Sequence, residues 1–229
     1  MRVLRAMMVG LITLVVYLGV SLVGWGLGSL GSYYASGPRT AHTVLVALFA
    51  TAAGVQGYHS MAGIRGRRGV RAKRVQRQTL VSAGVILAMY VALFFLPYAD
   101  RRELATLPLG GIGRWVGVGP AAAGFILVFW SGVALGSMYS KEVTIQADHR
   151  LVTTGLYARL RHPRYLGVLL LALGLSLIFR SWVGLVATVA LVPVLVMRIR
   201  DEEQSLAAEF GEAWAAYLAR SWRLVPGVW

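Results

Sequence analysis

Long apolar runs separated by short basic blocks constrain this chain more than any other feature. Runs of roughly 20 apolar residues, the length needed to cross a hydrocarbon core as a helix, occur at about 7–30, 41–62, 79–98 and 115–138. A fifth region, 165–197, is apolar but interrupted by Phe179-Arg180-Ser181-Trp182. Its halves, Leu166–Phe179 and Trp182–Met197, are each short for a full span, so they predict a tight helical hairpin with Arg180 at the turn. Composition now makes sense: 57% hydrophobic residues with a net charge of +14 is too apolar for a soluble domain of 229 residues. The charges fall between the runs, as bilayer proteins place them. The basic excess is therefore a matter of topology and contact with anionic lipid rather than of nucleic acid.

The reading is an all-α, polytopic membrane bundle of about six spans, or five if the hairpin does not fully cross. The loop after the second run carries Arg65, Arg67, Arg68, Arg71, Lys73, Arg74 and Arg77 without an acidic residue, which predicts a cytoplasmic loop. Alternation then puts both termini and the 139–164 segment on the cytoplasmic side. The 99–114 loop falls outside despite Arg101, Arg102 and Arg114, a conflict softened by Asp100 and Glu103. The N-terminal run lacks a clear small-residue cleavage site and reads as a retained first span. There is no cysteine, which excludes disulfides, thiolate metal sites and a cysteine nucleophile, and no metal-ligand cluster or dinucleotide-binding glycine motif is evident. His42 and His59 read as histidines hydrogen-bonded between helices or reaching an interface.

Polar chemistry concentrates in the last third. His162-Pro163 has the make-up of a helix start, since proline suits the first helical position and disfavours helical geometry before it. The free N–H groups of that first turn can dock an anion at the membrane surface. Alternatively Arg161, His162 and Arg164 merely anchor a helix end among headgroups. From Leu195 to Arg220 the pattern fits an amphipathic helix leaving the membrane, with the stripe Leu195, Ile199, Leu206, Phe210, Ala213 and Tyr217. Glu202 and Glu203 fall within about 40° and 60° of the stripe's centre. Carboxylates facing inward require partners: a salt bridge to Arg198 or to the Arg161/Arg164 cluster, or a cationic ligand.

These residues resemble a known family. Gly155-Leu156-Tyr157, Arg161-His162-Pro163-Arg164-Tyr165 with Gly167, Arg198, Glu202-Glu203, Leu206, Phe210-Gly211, Tyr217 and Leu224-Val225-Pro226 are similar to the isoprenylcysteine carboxyl methyltransferases, part of a wider group that includes phospholipid and thiol methyltransferases. The resemblance covers about 139–229 and divides the chain into transmembrane spans at 1–138, expected on the acceptor side, and a methyltransferase-like region at 139–229. It implies S-adenosylmethionine as methyl donor. It also implies a donor or catalytic site lined by Arg161, His162, Tyr165, Glu202 and Glu203, with Tyr157 and Arg198 supporting. Arg161 and Glu203 are the expected catalytic pair. Trp214 stands where the family often has tyrosine.

A carboxylate acceptor is already ionised and needs no base, so an arginine, first of all Arg161, would orient it. A thiol or amine would need His162 or Glu203 as base, and the sequence leaves the choice open. The expected partners are membrane lipids and a lipid-like or hydrophobic acceptor. Two alternatives remain. Arg200-Asp201-Glu202, Trp214 to Tyr217 and the terminal Pro-Gly-Val-Trp also resemble NADPH-dependent membrane sterol reductases, and a non-enzymatic carrier or scaffold would use the same spans.

Overall fold

The computed structural model describes residues 2–60, 76–135 and 151–228. The basic loop from Arg65 to Arg74, the first part of the polar connector and the 138/139 division lie outside the described residues. Within them the chain is helical, with isolated bridges as the only β pairing. Helix α1 (Arg2–Leu14) continues through a π-helical turn, Val15–Gly19, into α2 (Val20–Trp25) as one rod. The rod stops at Trp25, short of the expected Leu30, because Gly26 takes φ 104°. A short helix, α3 (Leu30–Tyr34), then closes over its end, where Trp25 Nε1 donates to Ser29 O at 3.1 Å.

The remaining helices are α4 (Gly37–Ser60), α5 (Gln76–Arg101), α6 (Gly111–Leu135), α7 (Pro163–Ile178) and α8 (Trp182–Leu218). Ala6–Trp25, Ala83–Arg101, Gly111–Leu135 and Trp182–Leu218 are long and apolar enough to cross a bilayer. With 24 residues, α4 extends about 36 Å, and α7 with 16 extends about 24 Å, so both accompany these four across most of the core. The chain is an integral, multi-pass membrane protein. Its outer surface is apolar as lipid requires: Leu11, Leu48, Leu87, Val116, Val186 and Val189 are all exposed.

The expected hairpin is present. Arg180 occupies the turn at φ 48°, and Ser181 caps α8 by accepting the Gly184 N–H at 3.0 Å. The second arm continues directly into the amphipathic tail, and the run Trp182–Leu218 is broken only by a kink at Gly211, which is not helical. Helix α7 is fixed in position by α6, against which it lies backbone to backbone. A Cβ on Gly124 would meet Gly167 O at 2.6 Å, and one on Gly117 would meet Gly174 O at 2.7 Å. Only glycine permits that approach, and small residues are the usual means of bringing membrane helices together.

One end of the bundle is closed by a single carboxylate. Asp100, at the end of α5, has no exposed side-chain surface. Its Oδ2 accepts from Arg114 at 2.8 Å and Arg39 at 3.3 Å, and its Oδ1 from Arg180 at 2.9 Å and Arg114 at 3.1 Å. Four helix ends therefore meet at one residue. The arginine excess near the 99–114 loop is resolved in the same way: Arg114 is absorbed by Asp100, and Arg101 donates to Trp25 O and Ser29 Oγ. Next to it, His42 Nδ1 pairs with the Tyr33 hydroxyl at 2.9 Å, the inter-helix bond expected of it. The side chain of His59 is outside the description.

Candidate functional site

The start of α7 lies at the other end of the bundle. His162 is its N-cap residue, with φ −127° and ψ 52°, and Pro163 occupies the first helical position. The segment before it is anchored by the chain's own tail. Trp222 N donates to Arg159 O at 2.8 Å, Arg161 N to Trp222 O at 2.7 Å, and His162 N to Arg223 O at 3.0 Å. The tail reaches this strand-like pairing because α8 bends at Gly211, which has φ 47° and ψ −117°, a conformation that side chains with a Cβ avoid. The bend also corrects the expected stripe: Leu195, Ile199, Glu203, Trp214 and Tyr217 are buried on α8, whereas Ala213 is exposed. Trp214 fills the position expected of a family tyrosine by packing edge-on against Tyr217, ring centroids 5.6 Å apart.

Glu203 is the hub. Its Oε1 accepts from Arg161 Nε at 3.0 Å and faces His162 Nε2 at 3.3 Å, while its Oε2 accepts from Arg223 Nε at 2.9 Å. Sequence periodicity puts Glu202 nearer the centre of the stripe; in the structure Glu203 is the deeper, with side-chain exposures of 9% against 33%. Glu202 Oε2 accepts from the Tyr165 hydroxyl at 2.9 Å, and that hydroxyl accepts from Arg198 Nε at 2.7 Å. His162 lies between the two carboxylates, its Nδ1 3.8 Å from Glu202, and stacks on Tyr165 with centroids 5.6 Å apart. Tyr157 is buried behind the cluster, and its carbonyl accepts from the Tyr217 hydroxyl at 2.6 Å.

All seven expected residues thus belong to one connected site. Six form the polar cluster, and Tyr157 supports it from behind. Both salt bridges foreseen for the glutamates occur in some form: Glu203 binds Arg161 directly, and Glu202 reaches Arg198 through Tyr165. Arg161 also ties the site to the tail, since its Nη1 donates to the Ser221 carbonyl, to Ser221 Oγ at 3.2 Å and to Leu218 O at 3.4 Å. Among the described residues its Nη2 makes no hydrogen bond.

The apolar part of α8 ends at Met197, so Glu203 lies beyond the hydrocarbon. Burial works against its charge, but hydrogen bonds from His162 and Arg223 and their positive charge outweigh it and hold its carboxyl down to about 2. Burial pushes the Tyr217 hydroxyl up to about 12, which keeps it a donor. Beside Glu203 opens a hollow of about 340 Å³, lined also by Arg200, Gln204, Ala207 and Arg223. Sequence reasoning missed Arg223 and Ser221. The available signal was their position just before Leu224-Val225-Pro226, but no periodicity connects a tail after a helix to residues some 60 positions earlier.

Residues 116–208 match the isoprenylcysteine carboxyl methyltransferase family. A protein-S-isoprenylcysteine O-methyltransferase of Schizosaccharomyces pombe is 38% identical over 71 residues, 31% of this chain and 30% of the relative. One from Dictyostelium discoideum is 30% identical over 82 residues, 35% of each chain. The matched stretch therefore spans about a third of the length of these curated relatives. In fold, the chain is similar to the eukaryotic intramembrane Ras methyltransferase ICMT, with a TM-score of 0.51 at 18% identity, covering 96% of this chain and 98% of that one. The family match falls on most of α6, all of α7 and most of α8, and it takes in Arg161, His162, Tyr165, Arg198, Glu202 and Glu203.

Proposed function

We propose that the protein transfers a methyl group from S-adenosylmethionine to a lipid-like acceptor at the cytoplasmic membrane surface, and that the acceptor is the carboxylate of an isoprenylcysteine-type group. The observation that carries this reading is the Glu203 hub at the start of α7, which gathers Arg161 and His162 from the family-matched residues and Arg223 from the tail beyond them. Alternation of the helices together with the basic composition of the loop at 65–77 supports a cytoplasmic position for both termini and for the end of the bundle that holds this hub.

The residues fit the donor, which carries a sulfonium, an ammonium and a carboxylate. Both signs of charge are at hand: Glu202 is one-third exposed, and the arginines around it can take a carboxylate. When bound, the donor supplies an electrophilic methyl group whose bonding pair leaves on sulfur. Tyr165, His162, Glu202, Arg198 and Tyr157 form its wall. Arg161 orients the acceptor carboxylate through Nη2, and Glu203 keeps Arg161 and His162 in register. A carboxylate needs no general base at neutral pH, so the protein's tasks are alignment and exclusion of water. The spans in 1–138 give the acceptor a lateral approach, and 139–229 provides the donor side.

Calorimetry on detergent-purified protein tests this. S-adenosylmethionine and S-adenosylhomocysteine should bind, more weakly to Glu203→Gln, and NADPH should not. Labelled methyl should pass to N-acetyl-S-farnesylcysteine. Binding of NADPH in place of both sulfur compounds would transfer the site to reductase chemistry, and no binding at all would remove the enzymatic reading.

A further inference from the structure

The tail after α8 has two faces, and the Glu203 hub uses only one of them. Ser221 and Leu224 are buried, and Arg223 turns inward to Glu203. Trp222, within the same run, is 41% exposed, and Leu218, Val225 and Val228 are exposed at 38%, 42% and 79%. Trp222 bridges Leu160 in parallel register, which puts these two side chains beside each other on the outer face.

Depth decides what meets that face. The tail is hydrogen-bonded to Arg159, Arg161 and His162, immediately before α7 begins. From there α7 runs about 24 Å towards the Asp100 end, against a hydrocarbon core of about 30 Å. The paired segments therefore lie at headgroup level, continuous with the lipid-facing surface of the helices. Exposed tryptophan is characteristic of that level. Charge points the same way. Residues 155–164 and 218–228 contain no carboxylate. Two of their arginines, Arg159 and Arg220, are exposed and make no hydrogen bond or ion pair among the described residues.

We infer that the outer face of Leu218–Val228 is seated in the headgroup layer at the hub's end of the bundle, with Trp222, Val225 and Val228 at its apolar margin and Arg159 and Arg220 on anionic lipid phosphates. The inner face of the same segment supplies the Ser221 carbonyl to Arg161, the Arg223 carbonyl to the His162 N–H and the Arg223 guanidinium to Glu203. Lipid on one face thus holds the hub together on the other.

The chain has no cysteine, so a fluorophore on Val228→Cys reports its own surroundings. In nanodiscs of phosphatidylcholine with phosphatidylglycerol, nitroxide-bearing lipid should quench it more than a neutral aqueous quencher does. Hydrogen exchange of residues 219–224 should be slower than in phosphatidylcholine alone, by about fivefold for each of the two arginines, the worth of one cation at such a surface. Arg159→Gln and Arg220→Gln should each remove one such step, and Trp222→Ala should move the label towards water in both bilayers. A label that stays in water in both bilayers would overturn the inference and leave the face to a protein partner. Exchange indifferent to phosphatidylglycerol, or a lipid dependence undiminished when both arginines are replaced, would overturn it as well. Neither readout uses a methyl donor or acceptor, so the outcome is independent of methyl transfer.

Discussion

The two ends of the bundle are built from the same ingredients and put to different uses. At one end a single carboxylate, Asp100, takes three arginines from three other elements and is sealed from solvent. At the other, two adjacent carboxylates divide the basic groups between them, and Glu202 keeps a third of its side chain open. In the first case every carboxylate lone pair is used within the protein; in the second, Arg161 Nη2 and the open face of Glu202 are not taken up by the described residues. The difference teaches that an arginine–carboxylate cluster in a membrane protein is not by itself a site. What matters is whether it closes on itself.

The largest effect should therefore come from the closed end. Asp100→Asn removes the fully buried carboxylate that pairs three largely enclosed guanidinium groups, and breaking a buried pair costs about 3–5 kcal/mol. The melting temperature in detergent should collapse or folded yield be lost, before any change in ligand affinity can be read. Glu203→Gln should do the reverse: fold retained, the proposed methyl transfer reduced by about 10²-fold, the scale of losing one preorganised electrostatic contact. A Glu203→Gln protein that fails to fold would show that the second cluster is as structural as the first.

Acid sharpens the same contrast. Glu203 has its carboxyl lowered from 4.5 to about 2, so its contribution to stability is fully present above about 4.5 and disappears as pH falls towards 2. The intact protein should lose stability across that window in a pH series of melting curves, and Glu203→Gln should lose less. Equal acid sensitivity in both proteins would assign the loss to other carboxylates. Next in size, Gly124→Val forces α6 and α7 apart where the backbones nearly touch, at about 1–3 kcal/mol. Because α7 begins at the site, donor affinity should fall together with melting temperature, which titration and thermal scans on one preparation would show.

The hairpin and the spans were readable because hydropathy and a polar break mark them directly. Arg180 at the turn and His162-Pro163 at the start of α7 lie where local chemistry put them. The first rod was read five residues too long because the run to Leu30 stays apolar while Gly26, with no side chain to signal it, reverses the backbone. The glutamates were recognised as inward, but their order of depth was not, because Arg161 and Arg223 both draw on Glu203, and Arg223 approaches from a tail that returns after the helix ends. Asp100 was noted as a counter-charge. Its partners Arg39, Arg114 and Arg180 are separated from it by 14 to 80 residues and could be joined only by the fold.

Gly211 is where that returning tail is decided, and it gives the smallest and most specific test. Its φ of 47° with ψ −117° lies outside what a residue with a Cβ adopts comfortably, although no neighbouring atom would obstruct an added methyl group. Gly211→Ala should therefore act through the backbone alone, at about 1 kcal/mol. If the helix straightens, Trp214 and Tyr217 leave their buried positions, the Tyr217 to Tyr157 bond is lost and the tail no longer brings Ser221 to Arg161. The Asp100 end shares none of these contacts. A few-fold loss of S-adenosylhomocysteine affinity with the main melting transition barely moved would show that the site end can be adjusted separately from the closed end. A matching drop in both would join the two ends into one cooperative unit.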